Sequence, residues 1–181
     1  MARLIMWNLM SLDGYFEGPE HDISWHNDVW GDELEALSIE QGRAAGALVF
    51  GRVTYELMHG YWPQETGPVA DFMNELPKHV FSRRLTASPW HNTVMHDGAD
   101  LAGTVSRLKR EADKDLFLFG SADLASSLAP HDLIDEYRLG IAPVLLGAGT
   151  RLFRHAARTR LRLLEARALS SGVVIARYTA R

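Results

Sequence analysis

Two short stretches, residues 47–50 (Ala-Leu-Val-Phe) and 116–119 (Leu-Phe-Leu-Phe), are apolar at every position. A strand with one wet face alternates apolar and polar side chains; a strand without alternation must be covered on both faces. Two such strands demand a sheet with a layer on each side, and helix-like stretches stand between the strands to supply those layers. Residues 3–10, 79–81 and 93–95 read as further strands. Residues 32–45 predict a helix with Leu34, Leu37 and Ala44 on one side, and residues 53–59 and 121–128 predict two more. Asp97 is placed to cap a helix over 99–113, whose Leu101, Val105, Leu108 and Ala112 fall at helical spacing. The last three strands, 134–142, 161–168 and 172–179, have no long helix between them, so the sheet is expected to end antiparallel. The expected class is α/β, a three-layer fold around a mixed, mostly parallel sheet with helices on both faces. No repeat, low-complexity tract or Gly/Ser linker divides residues 1–181, which read as one domain.

Composition removes several kinds of chemistry. There is no cysteine, hence no disulfide framework, thiolate nucleophile or thiolate-bound zinc. This suits a reducing cytoplasm. A net charge of −4 argues against a nucleic-acid binder, and no apolar run reaches the roughly 20 residues of a membrane helix. The start of the chain lacks a basic segment followed by a long apolar stretch, which predicts no secretory signal. His21 and His26 lack zincin spacing, and the other histidines (His59, His79, His91, His96, His131, His155) are scattered, so no metal site is expected. No Gly-x-Ser-x-Gly elbow or Walker A sequence occurs, and 147–152 reads as a turn although it opens like a dinucleotide fingerprint. Charge is uneven: residues 11–40 hold nine acids and no Lys or Arg, whereas 151–181 hold eight Arg and one Glu. The plain reading is two solvated surfaces; the functional one sets the arginines against a partner subunit or an anionic ligand.

Ligands of such sheets sit beyond the carboxyl ends of the parallel strands. Three strand ends carry suitable residues. Gly51-Arg52-Val53-Thr54 pairs a sharp turn with a helix N-terminus and a guanidinium. Ser82-Arg83-Arg84 offers a hydroxyl and two guanidiniums, and Gly120-Ser121-Ala122 repeats the strand, glycine, helix order. Each alone is more often a plain tight turn. Together they point to a ligand with several phosphates.

These segments also carry a resemblance. Ser11-Leu12-Asp13-Gly14-Tyr15, Ser24-Trp25, Gly51-Arg52-Val53-Thr54-Tyr55-Glu56, Phe81-Ser82-Arg83, Leu118-Phe119-Gly120-Ser121, Asp135-Glu136 and 143–149 occur in family order over nearly the whole chain. The chain resembles dihydrofolate reductase and its standalone bacterial relatives, a group that includes the reductase domain of the bifunctional riboflavin-biosynthesis deaminase-reductase. The resemblance implies a dihydrofolate-reductase-like fold and NADPH as cofactor. It implies that Gly51, Arg52 and Thr54 lie at the cofactor's phosphates, Ser82 and Arg83 at the 2′-phosphate, and Gly120, Ser121 and Ala122 at the pyrophosphate. A guanidinium pair is a natural reader of the 2′-phosphate that separates NADPH from NADH. The long polar loop 11–30 would place Asp13 and Gly14 over the nicotinamide. A homodimer is plausible for standalone members.

The chain also departs from those relatives. Asp28, Asp32, Glu33 and Glu35 all compete for the place of the pterin-gripping carboxylate, and 58–63 is aromatic where the riboflavin reductase handles a ribose phosphate. The acidic first loop fits a phosphorylated substrate poorly. The expected activity is reduction of a small pteridine- or pyrimidine-type heterocycle, with Asp13 arranging the proton; Asp-Gly is equally a common turn. Trp7, Asn8, Trp25, Tyr55 and Trp62 are candidates to stack the heterocycle, although buried aromatics are more often core. Asn8, Trp25 and Tyr55 are the expected substrate contacts, and Asn8 is the most telling, because a polar residue in an apolar strand needs a partner. The alternatives are a nucleotide-binding or regulatory module without turnover, and a flavin oxidoreductase using the same cleft.

Overall fold

The unbroken apolar runs occupy the middle of the sheet in the computed structural model, which describes residues 1–153 and 158–180. In chain order the strands and helices are β1 (Leu4–Ser11), β2 (Tyr15–Glu17), α1 (Asp32–Ala44), β3 (Ala45–Gly51), α2 (Arg52–Tyr61), α3 (Pro68–Glu75), β4 (Lys78–Phe81), β5 (Thr93–His96), α4 (Leu101–Glu111), β6 (Asp115–Phe119), α5 (Ala122–Leu128), β7 (Glu136–Ala142), β8 (Thr150–Arg151), β9 (Leu161–Ala168) and β10 (Val174–Ala180). Eight strands form one sheet in the order β5-β4-β3-β6-β1-β7-β10-β9, and β2 pairs with β8 apart from it. Every pairing from β5 to β7 is parallel, and β10 runs antiparallel to both β7 and β9. The expected late antiparallel strands are therefore present.

Alternation along each strand divides the core in two. Ile5, Trp7, Leu48, Phe50 and Phe117 face one side, where Leu34 and Leu37 of α1, Tyr55 of α2 and Met73 of α3 cover them. Leu4, Met6, Ala47, Val49, Leu116 and Leu118 face the other, under Val105 and Leu108 of α4 and Leu124 and Leu128 of α5. Helices cover both faces, which is why the central strands show no polar alternation. Among the described residues no helix is long and apolar enough to cross a membrane.

One local expectation needs correction. The cap of α4 is Asp100, whose carboxylate accepts from Gly103 N at 2.9 Å; Asp97 instead closes a smaller turn onto Ala99 N. The helix α3 and the short strands β2 and β8 were not expected. Residue 155, one of the scattered histidines, lies outside the described residues, as do Arg154 and Arg181.

Candidate functional site

Parallel neighbours β4, β3 and β6 end along one edge of the sheet, with Gly51 paired to Phe81 and Val49 to Leu118. That edge brings two of the three singled-out turns into direct contact. Gly51 N donates to Ser121 Oγ at 2.8 Å, and Ser121 N donates to Thr54 Oγ1 at 2.9 Å. Gly120 and Ser121 both adopt left-handed backbone, with φ of 54° and 59°. A Cβ on Gly120 would lie 2.8 Å from Thr54 Cγ2, so the close approach of the two turns depends on glycine there.

The result is a cleft of about 390 Å³ lined by Gly51, Arg52, Thr54, Phe81, Ser121 and Ala122, with Phe16, Glu17 and Thr150 on its far wall. No side chain caps α2, so the amides of its first turn stay available at this cleft. Its charge is mixed. Arg52 is paired with Glu56 at 2.6 Å, and Glu17, almost fully buried, pairs with His21 at 2.8 Å. Ser82 and Arg83 stand at the neighbouring strand end but do not line the cleft. Ser82 Oγ accepts from the amides of Arg84 and Leu85 and shapes the turn, which leaves Arg83 exposed.

A second cavity, about 160 Å³, opens beside the first and shares Phe16, Glu17 and Thr54 with it. Trp7, Phe119, Met58, Trp62 and Phe72 give it apolar walls, and Asn8, Ser38, Gln41 and His26 join Glu17 and Thr54 as its polar members. Phe119 and Gly120 come from the end of β6, so the apolar cavity and the cleft meet where β6 gives way to α5.

A family model described as the RibD C-terminal domain matches residues 2–175. The chain belongs to that family. Its relatives include the uncharacterized protein YyaP of Bacillus subtilis strain 168, 30% identical, with 95% of this chain and 92% of YyaP covered. Among solved structures, the diaminohydroxyphosphoribosylaminopyrimidine deaminase/5-amino-6-(5-phosphoribosylamino)uracil reductase of Thermotoga maritima matches with a TM-score of 0.72 at 14% identity, over 99% of this chain and 57% of that one. Dihydrofolate reductase from Enterococcus faecalis, solved with NADP(H), matches with a TM-score of 0.66 at 10% identity, over 99% and 96%. These structural likenesses establish the dihydrofolate-reductase-like fold of this RibD C-terminal domain.

Within that fold the expected site residues divide. Gly51, Arg52, Thr54, Ser121 and Ala122 line the cleft, and Gly120 lines the apolar cavity. Asn8 lines that cavity as well, and its Nδ2 is buried without a hydrogen-bond partner. Trp25 and Tyr55 do not line it. Trp25 packs edge-on against His26, 4.3 Å between ring centres, and Tyr55 lies in the core beside Phe50 and Trp90 with its hydroxyl on Ser88. The aromatic pocket thus keeps Trp7, Asn8 and Trp62 and loses the other two. Asp13 lies outside both cavities: its carboxylate accepts from Ser11 Oγ (2.6 Å), Gly147 N (2.8 Å) and Leu146 N (3.2 Å). The Ser11 hydroxyl and those amides hold its pKa down to about 2, so it stays ionised.

Lining residues that were not anticipated include Glu17, His26, Gln41 and Phe119. None of the competing carboxylates Asp28, Asp32, Glu33 and Glu35 reaches the cavity, and Glu33 instead accepts from Ser170 N at 2.6 Å. Glu17 of β2 is the carboxylate at the site. Gly149, at φ 127°, lets β8 pass so close to it that a Cβ would fall 2.1 Å from the Glu17 carbonyl oxygen.

Burial pulls the His26 imidazole down to about 4, against the opposing charge of Asp22. The folded state therefore binds this proton less readily than the unfolded chain does, and stability falls as pH drops from about 6.5 towards 4. The expected loss from this residue is about 3 kcal/mol. Urea midpoints measured across that window should fall, and His26→Asn should flatten part of the slope. His79, also held near 4 by burial, accounts for a further part. An unchanged slope in the variant would place His26 in a far wetter setting.

Proposed function

We propose that this protein is an NADPH-dependent oxidoreductase that reduces a small heterocycle of the pteridine or pyrimidine type. The observation that carries this reading is the junction itself: a cleft built from strand ends and a free helix start opens into an apolar cavity wide enough for a flat ring. The residues present fit a phosphorylated dinucleotide. Gly51, Arg52 and Thr54 would hold its phosphates with the first-turn amides of α2, Ser121 and Ala122 would border the pyrophosphate, and Arg83, exposed at the neighbouring strand end outside the cleft, would be the group to meet a 2′-phosphate that extends past it. When bound, the cofactor supplies a hydride. The protein's own work is positional. Trp7, Phe119 and Trp62 exclude water and stack the substrate ring, and the Gly120 turn sets the distance between cleft and cavity. Asp13, ionised and fully engaged, acts as a positioning residue that ties the first loop to residues 146–147. Zero cysteines and a need for reduced cofactor fit a cytoplasmic enzyme. Its homodimer would use β9, the outermost strand, where Leu161, Leu163 and Leu164 are exposed.

Titration with NADPH, followed by tryptophan fluorescence, tests the cofactor. Arg83→Ala should cut the NADPH/NADH affinity ratio by roughly 10- to 100-fold, the worth of one charge-assisted hydrogen bond. An unchanged ratio would remove Arg83 from the 2′-phosphate. The absence of a first-helix carboxylate from the cavity favours a second reading, a cofactor-binding module without turnover. NADPH binding with no oxidation across pteridine and pyrimidine substrates would select it.

A further inference from the structure

The apolar cavity contains no Lys or Arg, and its exposed rim members Ile23, Trp30 and Leu57 are apolar. Residues 11–40, which supply the loop and most of the helix that close it, hold no Lys or Arg. Its carboxylate, Glu17, already has His21 as partner. A phosphate dianion brought here would lose its hydration and find no cation to replace it.

The cavity's polar groups are of a different kind. Gln41 is 2% exposed, and its Nε2 is buried with no partner. Its Oε1 accepts from Arg138 Nη1 at 3.0 Å. Gln41 lines both the apolar cavity and the polar pocket that holds Arg138. Arginine has only donors, so this contact fixes Oε1 as the end turned to Arg138, and the NH2 group is the end left for the apolar cavity. Arg138 cannot turn away, because Glu136 Oε1 accepts from both its Nε (3.0 Å) and its Nη2 (2.8 Å). A buried donor with no acceptor costs stability until a ligand supplies one. Asn8 presents a second unpartnered amide nitrogen among the same lining residues.

We infer that the heterocycle taken by this cavity is uncharged and unphosphorylated, and that a ring carbonyl oxygen is read by Gln41, whose donor orientation is imposed by the Arg138–Glu136 pair. This deepens, and rests on, the reading of the cavity as the substrate site. It separates this chain from a reductase whose substrate carries a phosphoribosyl group.

The test uses three probes on the full chain at neutral pH, without cofactor: lumazine, which has two ring carbonyls, 2,4-diaminopteridine, which replaces them with amino groups, and uridine 5′-monophosphate. Tryptophan quenching reports binding. Lumazine should bind at least ~10-fold tighter than the diamino compound and ~100-fold tighter than the nucleotide, as expected when a site's buried donor goes unmet or a dianion is desolvated. Gln41→Glu keeps a partner for Arg138 but turns the donor into an acceptor, and should invert the preference between the two pteridines. Gln41→Leu should weaken lumazine ~10-fold with no gain for the diamino compound. Arg138→Met frees the amide to turn over and should bring the ratio towards one. Thermal unfolding of each variant establishes that it is folded. Tight nucleotide binding, no binding of any probe, or an unchanged pteridine ratio in Gln41→Glu overturns the inference. Lumazine binding without NADPH binding would instead sink the reductase reading and leave this one standing.

Discussion

Replacing Glu136 with leucine is expected to lower the unfolding free energy by about 3–5 kcal/mol, the cost of removing one member of a buried ion group. Glu136 is 1% exposed on β7. Its Oε1 accepts from Arg177 Nε at 2.7 Å besides both Arg138 contacts, and its Oε2 accepts from Arg3 Nη1 (3.1 Å) and Arg177 Nη2 (3.2 Å). Burial pushes the carboxyl pKa up, but hydrogen bonds and charge from Arg177 and Arg138 outweigh it, and the group lies below its ordinary value. Without this carboxylate three guanidiniums face one another. Arg3 keeps Asp115 and Arg177 keeps Glu165, but Arg138 retains only Gln41. Urea unfolding should show the loss directly, with a melting temperature lower by about 10 °C for a chain of this size. Glu136→Gln keeps an acceptor and should cost less. A loss below about 1 kcal/mol for the leucine variant would mean that water reaches this cluster freely.

Lys78→Met should be comparably severe, at about 3 kcal/mol, because it removes a buried donor shared by three backbone carbonyls at once. Lys78 has no exposed surface, and its Nζ donates to the carbonyls of Asn74 (2.6 Å), Leu76 (2.8 Å) and His91 (3.2 Å) while sitting 4.6 Å from the centre of the Trp90 ring. Burial pulls its pKa down to about 8, so it is still charged at neutral pH. The methionine chain fills similar space but donates nothing to these half-buried and exposed residues, which isolates the polar contribution from packing. Trp90 Nε1 donates to Asn74 Oδ1 at 2.9 Å, so the same substitution loosens the segment that carries Trp90 against Phe50. Hydrogen exchange at residues 74–92 should rise before global unfolding. If the variant unfolds at wild-type urea concentrations, the three carbonyls have found water.

The central layers of the fold were legible because their cause is local. Residues 47–50 and 116–119 are apolar throughout since helices lie on both sides, and the lack of helices after residue 134 announced the antiparallel end. Elements defined by distant partners were not. The helix α3 is eight residues long and is held by α1, where Gly42 lets Phe72 press so close that a Cβ would lie 2.2 Å from its ring. Strands β2 and β8 are shorter still and pair across more than 130 residues of chain, as in Tyr15 with Arg151. Nothing in either neighbourhood records such a partner.

The site shows the same division. That Gly51, Thr54, Gly120 and Ser121 come together was legible because strand, glycine and helix follow one another in sequence. Trp25 and Tyr55 misled because aromatic character does not say which way a ring points. Gln41 did leave a trace: it continues the stripe Leu34, Leu37, Ser38 at helical spacing, and a polar residue on an apolar stripe asks for a reason. The basic carboxyl-terminal third is partly spent within the chain, with Arg177 on Glu136 and Glu165, and Arg151 on the Asp13 carbonyl and the Tyr15 hydroxyl.

Phe16 and Glu17 belong to the walls of both cavities, and β8 holds their strand in place from behind. Two guests that touch the same partition are placed to feel each other through it. Whatever factor the first to arrive imposes on the dissociation constant of the second, the second must impose on the first. Loading order is then a matter of relative concentration, and a ternary-complex equilibrium measured from either direction must close to the same product.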